Sequence, residues 1–133
     1  MLRVLFWLLV MIPVALAVHE FSHWFVARRL GVPMSWRFSW GELRIPRVPW
    51  FCLRVPRWLW TIPIPRSDPR ARTVAAAGFR GEFLGVVPVL LAGLLVSGWA
   101  PGLCYALVAL AHRLLYPLYA GDDSDLSVPE VAD

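Results

Sequence analysis

Three long apolar stretches constrain this chain more than any other feature of its sequence. They cover residues 4–27, 74–100 and 102–119, each close to the ~20 residues that an α-helix needs to cross about 30 Å of hydrocarbon. Apolar residues make up 59% of the chain, which exceeds the roughly 45–50% of ordinary soluble proteins. The sequence predicts an all-α membrane protein with three transmembrane helices in one domain, 1–133.

The charge distribution predicts how these helices are oriented. All 13 basic residues are arginines, and 11 of them lie between residues 28 and 80, where only Glu42 and Asp68 oppose them. Because arginine-rich loops stay in the cytoplasm, we expect segment 28–72 and the C-terminus of this multi-pass cell-membrane protein to be cytoplasmic. No nucleic-acid partner is expected, since the arginines lie between spans and no recognisable binding module accompanies them.

The N-terminus allows a second interpretation, a cleaved signal peptide. An apolar run, "VLFWLLVMIPV", is followed by "ALA" before Val18, which is typical of cleavage after Ala17. Apolar character nevertheless resumes with "WFVA" and ends only at Arg28 and Arg29. We therefore expect a full-length first span, and the N-terminal mass of the purified protein distinguishes the two.

His19, Glu20 and His23 form the motif H-E-x-x-H inside the first apolar stretch. On a helix, this spacing places both imidazoles on one face, about 6 Å apart along the axis. Two neutral imidazoles so arranged can fill two of the four positions around Zn²⁺. Glu20, one step round the helix, could then act as a general base towards water without ligating the metal.

The depth of the motif favours a functional role over polar residues that are merely satisfied within a helix bundle. It lies five to nine residues before Arg28, roughly 8 to 13 Å inside the membrane at about 1.5 Å per residue. Ionisable groups at such depth are costly and by default mark a functional site. Hydrolysis at this depth would require a water-filled cavity that reaches the motif.

A span that contains H-E-x-x-H and leaves the membrane as "ARRLGV" resembles the site-2 protease family of intramembrane zinc metalloproteases. The resemblance covers nearly the whole chain in the order of its segments, and its first motif is the specific one. It implies a three-span core and a third zinc ligand that is an aspartate on the last span. It also implies hydrolysis of a peptide bond in or near a transmembrane segment of a membrane protein substrate.

The family's third motif, Asn-x-x-Pro-x-x-x-x-Asp-Gly, is matched in part by "LLYPLYAGDDSDL". Pro117 is kept and Asp122 has the expected spacing, whereas Leu114 replaces the asparagine. Asp125 is an equally reasonable ligand, and slightly preferred, if the chain turns back at "AGDDS". The resemblance implies that one of these aspartates ligates the metal, and the alternative is an ordinary solvated acidic tail, 120–133.

Glu82 and His112 are further candidates for the third ligand. If the last span were straight, the aspartates would emerge at the membrane surface, while both of these residues lie at a depth matching the motif. Either could instead be structural, with Glu82 paired to an arginine and His112 hydrogen-bonded within the bundle. A break near Pro117 would bring the aspartates back inward.

The second apolar stretch begins "AAAGFRGEFLGVVPVLLAG", similar to the family's Ala-Gly-Pro stretch with Phe79 in place of proline. Small residues let helix backbones approach closely in membranes. We expect them to bring the second helix against the first. The small residues concerned are Ala75, Ala76, Ala77, Gly78, Gly81 and Gly85.

Segment 34–66 predicts a short β-ribbon at the membrane interface. Apolar and polar residues alternate with the period of β-strands, and "WGEL" is a candidate hairpin turn. Prolines favour edge strands, and tryptophans mixed with arginines are typical of the interface. An unpaired edge could hold an extended substrate, although a ribbon that only anchors the chain explains the pattern equally well.

These features together predict a zinc-dependent intramembrane endopeptidase, with the lipid bilayer and a membrane protein substrate as its partners. The alternative is a catalytically inactive metal-binding membrane protein that acts as a partner or regulator, which the replaced asparagine supports. Such a protein would bind zinc but cleave no membrane substrate.

Overall fold

The computed structural model describes residues 2–44, 52–62, 64 and 67–120. Helices α1 and α3 are long and apolar enough to cross a membrane, and α4 contributes a shorter apolar run, Ala100–Tyr116. The elements of the described residues are α1 (Leu2–Arg29), β1 (Ser35–Arg44), β2 (Cys52–Thr61), α2 (Pro69–Ala75), α3 (Ala77–Val96) and α4 (Ala100–Ala120).

Helix α1 ends in a cap that depends on glycine. Gly31 has a φ of 65°, in the left-handed region that glycine adopts without a steric cost. Its N–H donates to the carbonyl of Arg28 at 3.3 Å, and the N–H of Val32 donates to that of Ala27 at 2.9 Å. These two bonds form a Schellman cap. Helix α1 therefore ends at Arg29, two residues beyond the predicted end of the first span at residue 27.

Replacing Gly31 by alanine should lower the free energy of unfolding by about 1 kcal/mol, because the left-handed conformation disfavours a Cβ. A Cβ there would meet no atom within 4 Å, so backbone strain is the expected cause. Thermal unfolding in detergent, followed by circular dichroism, measures the effect. Gly31→Asn is the matched control, since asparagine tolerates this conformation better; equal losses in both variants would contradict the cap.

Helices α1, α3 and α4 pack pairwise against one another. The guanidinium of Arg3 donates to the carbonyl of Ser97, and the thiol of Cys104 lies 3.8 Å from the carbonyl oxygen of Val4. The start of α1 therefore adjoins both the end of α3 and the start of α4. It follows that α3 runs antiparallel to α1, whereas α4 runs parallel to it.

Glycines on α3 allow its close approach to the neighbouring helices, as the small-residue pattern predicts. A Cβ on Gly85 would lie 2.5 Å from the hydroxyl oxygen of Tyr105 and 3.4 Å from the side chain of Val18. A Cβ on Gly81 would overlap the side chain of Ser22 on α1. The expectation that the second apolar helix packs against the first is confirmed.

The second apolar stretch is divided, and the prediction of one span over 74–100 was wrong at both ends. Helix α2 precedes Ala76, and α3 is a separate helix that ends at Val96. Asp68 caps α2 by accepting the N–H of Arg70 at 2.8 Å. Hydrogen bonds from Arg70 also hold the pKa of the Asp68 carboxyl below its ordinary value.

Strands β1 and β2 pair antiparallel, and β1 lies beside α4. The prediction of a turn at "WGEL" was wrong, because Gly41 pairs with Val55 and Glu42 with Arg54 inside the sheet. The connection between the strands falls in 45–51, outside the described residues. Among the described residues the sheet has two strands, so both are edge strands there, where a residue such as Pro56 is tolerated.

Candidate metal centre

His19 and His23 lie side by side on the buried face of α1. Their exposed fractions are 2% and 5%, and their ring centroids are 4.7 Å apart. The Nε2 atoms of the two rings are 3.0 Å apart. The i, i+4 spacing therefore turns two ring nitrogens towards each other in the interior of the protein.

The backbone of α2 orients the ring of His23. Its Nδ1 is 2.7 Å from the carbonyl oxygen of Val74. Val74 lies in the last turn of α2. Since a carbonyl can only accept, Nδ1 carries the proton and Nε2 of His23 carries a lone pair.

A carboxylate lies beside Nδ1 of His19, as the carbonyl of Val74 lies beside Nδ1 of His23. Oε1 of Glu82, on α3, is 3.0 Å from Nδ1 of His19 and 2.5 Å from Nδ1 of His112, on α4. The contact with His112 is a hydrogen bond, and the contact with His19 is a charge contact. Because an ionised carboxylate can only accept, we expect Nδ1 to be the nitrogen of His19 that carries the proton. Nε2 of His19 then carries a lone pair as well.

The two Nε2 atoms fit a shared cation. Two nitrogen lone pairs that face each other at 3.0 Å repel, and they require either a metal ion or an extra proton between them. Ligands of a tetrahedral zinc at about 2.05 Å are separated by about 3.3 Å, close to this distance. The donor set is two imidazole nitrogens whose Nδ1 atoms face a carbonyl and a carboxylate, and metal-binding histidines commonly have such surroundings.

His19, Glu82 and His112 offer a second arrangement, with ligand atoms within 4.8 Å of one another. In that arrangement Glu82 and His112 would be ligands themselves. Their contact of 2.5 Å is shorter than the separation of about 3.3 Å expected of two zinc ligands. A chain of polar contacts from His112 through Glu82 to His19 agrees better with these distances, and it leaves Nε2 as the ligating atom of His19.

Gly78 and Phe79 form the wall of the site on α3. A Cβ on Gly78 would lie 2.5 Å from Nε2 of His19, from Nε2 of His23 and from Cε1 of His19. Phe79 packs edge-on against His19, with a centroid distance of 4.8 Å. The guanidinium of Arg113 lies 4.6 Å from the centroid of the Phe79 ring. The position occupied by proline in the family therefore carries an aromatic contact to a candidate ligand.

Glu20 is half-buried on α1 next to His19, and its Oε2 atom is buried. Asp122 and Asp125 lie outside the described residues. Leu114, at the position of the family's asparagine, has an exposed fraction of 67%, so it does not line the buried centre.

Three contributions to the centre go beyond the sequence prediction. The sequence left open an arginine as a structural partner of Glu82, whereas the structure places this carboxylate against two histidines. The carbonyl of Val74 left no sequence signal, because the break at Ala76 that exposes it is not marked by proline or glycine. The ring of Phe79 was noted only as a departure from the family pattern.

The histidine pair, its hydrogen-bonded partners and the close approach of Gly78 define the candidate metal centre. Comparisons of the chain with protein-family models, with curated proteins and with solved structures found no match.

Proposed function

We propose that this protein is a zinc-dependent intramembrane endopeptidase that hydrolyses a peptide bond in or near a transmembrane segment of a membrane protein. The observation that carries most weight is the buried pair of Nε2 atoms, 3.0 Å apart, within H-E-x-x-H. Nδ1 of His23 is hydrogen-bonded to a carbonyl and Nδ1 of His19 lies beside a carboxylate, which are the surroundings that direct Nε2 to a metal. A bundle histidine with a purely structural role has no need of this arrangement.

The proposed setting is a bilayer crossed three times, by α1, α3 and α4. Large apolar side chains on these helices face outward, with exposed fractions of 89% for Leu95 and 78% for Phe83. Apolar surface of this kind is normal against lipid but rare in monomeric soluble proteins. The arginine-rich segment 28–72 and the C-terminus would lie on the cytoplasmic side.

In this proposal His19 and His23 hold Zn²⁺ through Nε2, and Asp125 or Asp122 is the third ligand. When bound, zinc supplies Lewis-acid polarisation of the peptide carbonyl and makes water a stronger acid. Glu20 takes one proton from the attacking water and delivers it to the leaving amine nitrogen. The oxygen of water joins the carbonyl carbon as the C–N bond breaks. The products are a carboxylic acid, which keeps the second proton of water, and an amine, and transfer of that proton gives a carboxylate and an ammonium group.

The β-ribbon is the proposed substrate-holding element. Among the described residues each of its strands pairs with one other strand, and an extended peptide can add to the edge of such a sheet through backbone hydrogen bonds. The position of β1 beside α4 keeps the ribbon attached to a helix that also carries His112. Its alternative role is to anchor the chain at the membrane interface.

A second candidate function is metal binding without proteolysis, in a partner or regulator of another membrane protein. The observation that favours it is the outward position of Leu114, because the residue type that the family places there is polar. This candidate shares the metal centre and differs only in lacking cleavage.

Metal analysis of the detergent-purified protein tests the centre directly. We expect about one zinc per chain in the parent. His23→Ala should retain less than a tenth of that, because only one imidazole of the pair would remain to bind the metal. A Cys52→Ser, Cys104→Ser double variant is the control, because thiolates are the other strong zinc ligands in this chain. Stoichiometric zinc in His23→Ala, or none in the parent, would contradict the proposed site.

A further inference from the structure

Glu82 is the buried acid that the proposed mechanism does not use. Its exposed fraction is 1%, and it lies on α3 within an apolar helix. A buried carboxylate is strongly unfavourable unless it is paired and hydrogen-bonded. A single oxygen, Oε1, meets imidazoles from two other helices, His19 of α1 and His112 of α4.

We propose that Glu82, itself held by His112, is a positioning residue that fixes the ring orientation and tautomer of His19 for zinc. This inference rests on the proposed function, because it assigns a role towards the same metal. It gives His112 a task other than ligation. The two residues act through His19 and do not touch the metal or the substrate.

The physical reason lies in the two nitrogens of an imidazole. A neutral histidine carries its proton on either Nδ1 or Nε2, and only the nitrogen without a proton can ligate a metal. A carboxylate beside Nδ1 of His19 selects the tautomer with the proton on Nδ1, and it makes Nε2 a better donor to the metal. Val74 provides the corresponding acceptor for His23.

His112 donates a hydrogen bond to the same carboxylate oxygen that lies beside His19. Its Nδ1 lies 2.5 Å from Oε1 of Glu82, and its ring packs against those of His19 and Phe79, with centroid distances of 4.9 and 5.5 Å. A hydrogen bond from α4 restricts the carboxylate and compensates for its burial. The chain His112–Glu82–His19 therefore couples α4 and α3 to the metal-bearing face of α1.

Zinc affinity, measured by competition with a chromophoric chelator, tests the inference in the full-length protein in detergent. We expect Glu82→Gln to bind zinc about 10- to 100-fold more weakly, the range typical of lost partners of metal-binding histidines. His112→Phe keeps the aromatic packing but removes the donor, and it should weaken binding in the same direction. The double variant should bind zinc at most about threefold more weakly than Glu82→Gln alone, because the two residues act as one unit.

A spectroscopic readout separates positioning from a general loss of structure. Nitrogen-15 spectra of labelled histidines in the zinc-loaded parent should show His19 as one species, protonated at Nδ1 and metal-bound at Nε2. Glu82→Gln should broaden or divide that signal and leave the His23 signal unchanged, because Val74 still accepts from His23. Tyr105→Phe, which removes another buried polar atom from the same bundle, is the matched control and should keep parental affinity.

Three results would overturn the inference. Affinity of Glu82→Gln within threefold of the parent would show that the carboxylate does not position His19, while the proposed function would stand. Stoichiometric zinc in His23→Ala together with loss of zinc in both Glu82→Gln and His112→Phe would make these residues ligands. Absence of zinc from the parent would remove the proposed centre itself.

Discussion

Glu20→Gln should lower the rate of peptide-bond cleavage by about 10² to 10⁴-fold and leave about one zinc per chain. A positioned general base contributes an effect of this size. Glutamine has nearly the same shape as glutamate, but it cannot take a proton from water. Because Glu20 is not among the proposed ligands, the metal content should not change.

Cleavage can be measured with a mixed set of synthetic transmembrane peptides reconstituted with the protein in liposomes. Mass spectrometry of the products identifies new termini in whichever peptide is cut, so the natural substrate need not be identified first. Glu130→Gln is the matched control, because it removes the same charge at a position that has no role in the proposed metal centre or in the substrate-holding ribbon. It should cleave at the parental rate.

The zinc content and the cleavage rate together separate the two candidate functions. Cleavage by the parent that disappears in Glu20→Gln, with zinc retained in both, supports the protease. Zinc in the parent with no cleavage of any peptide supports the inactive metal-binding protein. Equal cleavage by the parent and Glu20→Gln would contradict the role assigned to this glutamate.

Gly78→Ala should lower both zinc affinity and cleavage by about 100-fold or more, although alanine is only one methyl group larger. Its Cβ would lie 2.5 Å from the Nε2 atoms of His19 and His23, closer than van der Waals contact allows. The rings cannot easily yield, because Val74 and Glu82 hold their other nitrogens. A displacement of about 1 Å at a reacting centre can lower the reaction rate about 100-fold.

Gly85→Ala is the matched control for that substitution. It adds the same methyl group to the same helix, and the new Cβ would lie 2.5 Å from the hydroxyl oxygen of Tyr105. Overpacking of about 1 to 3 kcal/mol is expected in both variants, and thermal unfolding in detergent measures it. Parental zinc affinity in Gly78→Ala, or equal loss of zinc in both variants, would contradict a specific contact between Gly78 and the histidines.

Much of this protein is determined by local sequence. The apolar stretches predict helices because their length matches a bilayer and their residues favour burial, and the observed α1 covers all of residues 4–27. The spacing of His19 and His23 sufficed to place both rings on one face, because helical periodicity is a property of the backbone. Arg28 and Arg29, at which the apolar run ends, likewise predicted the end of the helix, which the structure places at Arg29.

The boundaries of the second helix and of the hairpin were less predictable. The break at Ala76 occurs in a run of alanines, which are strong helix formers, so its cause lies in the packing of α2 and α3 against α1. "WGEL" has the composition of a turn, yet Gly41 and Glu42 are paired within the sheet. Strand register depends on partners distant in sequence, and local turn preference is too weak to override it.

The sequence by itself determined which residues could ligate a metal, since H-E-x-x-H on a helix already presents two imidazoles together. Only the tertiary structure decided which nitrogen of each ring faces the other. That choice depends on a carbonyl of Val74 and a carboxylate of Glu82, which lie 51 residues from His23 and 63 residues from His19 in the chain. The physical reason is that an imidazole's tautomer is selected by the groups that accept its proton, and those groups are brought to it by helix packing.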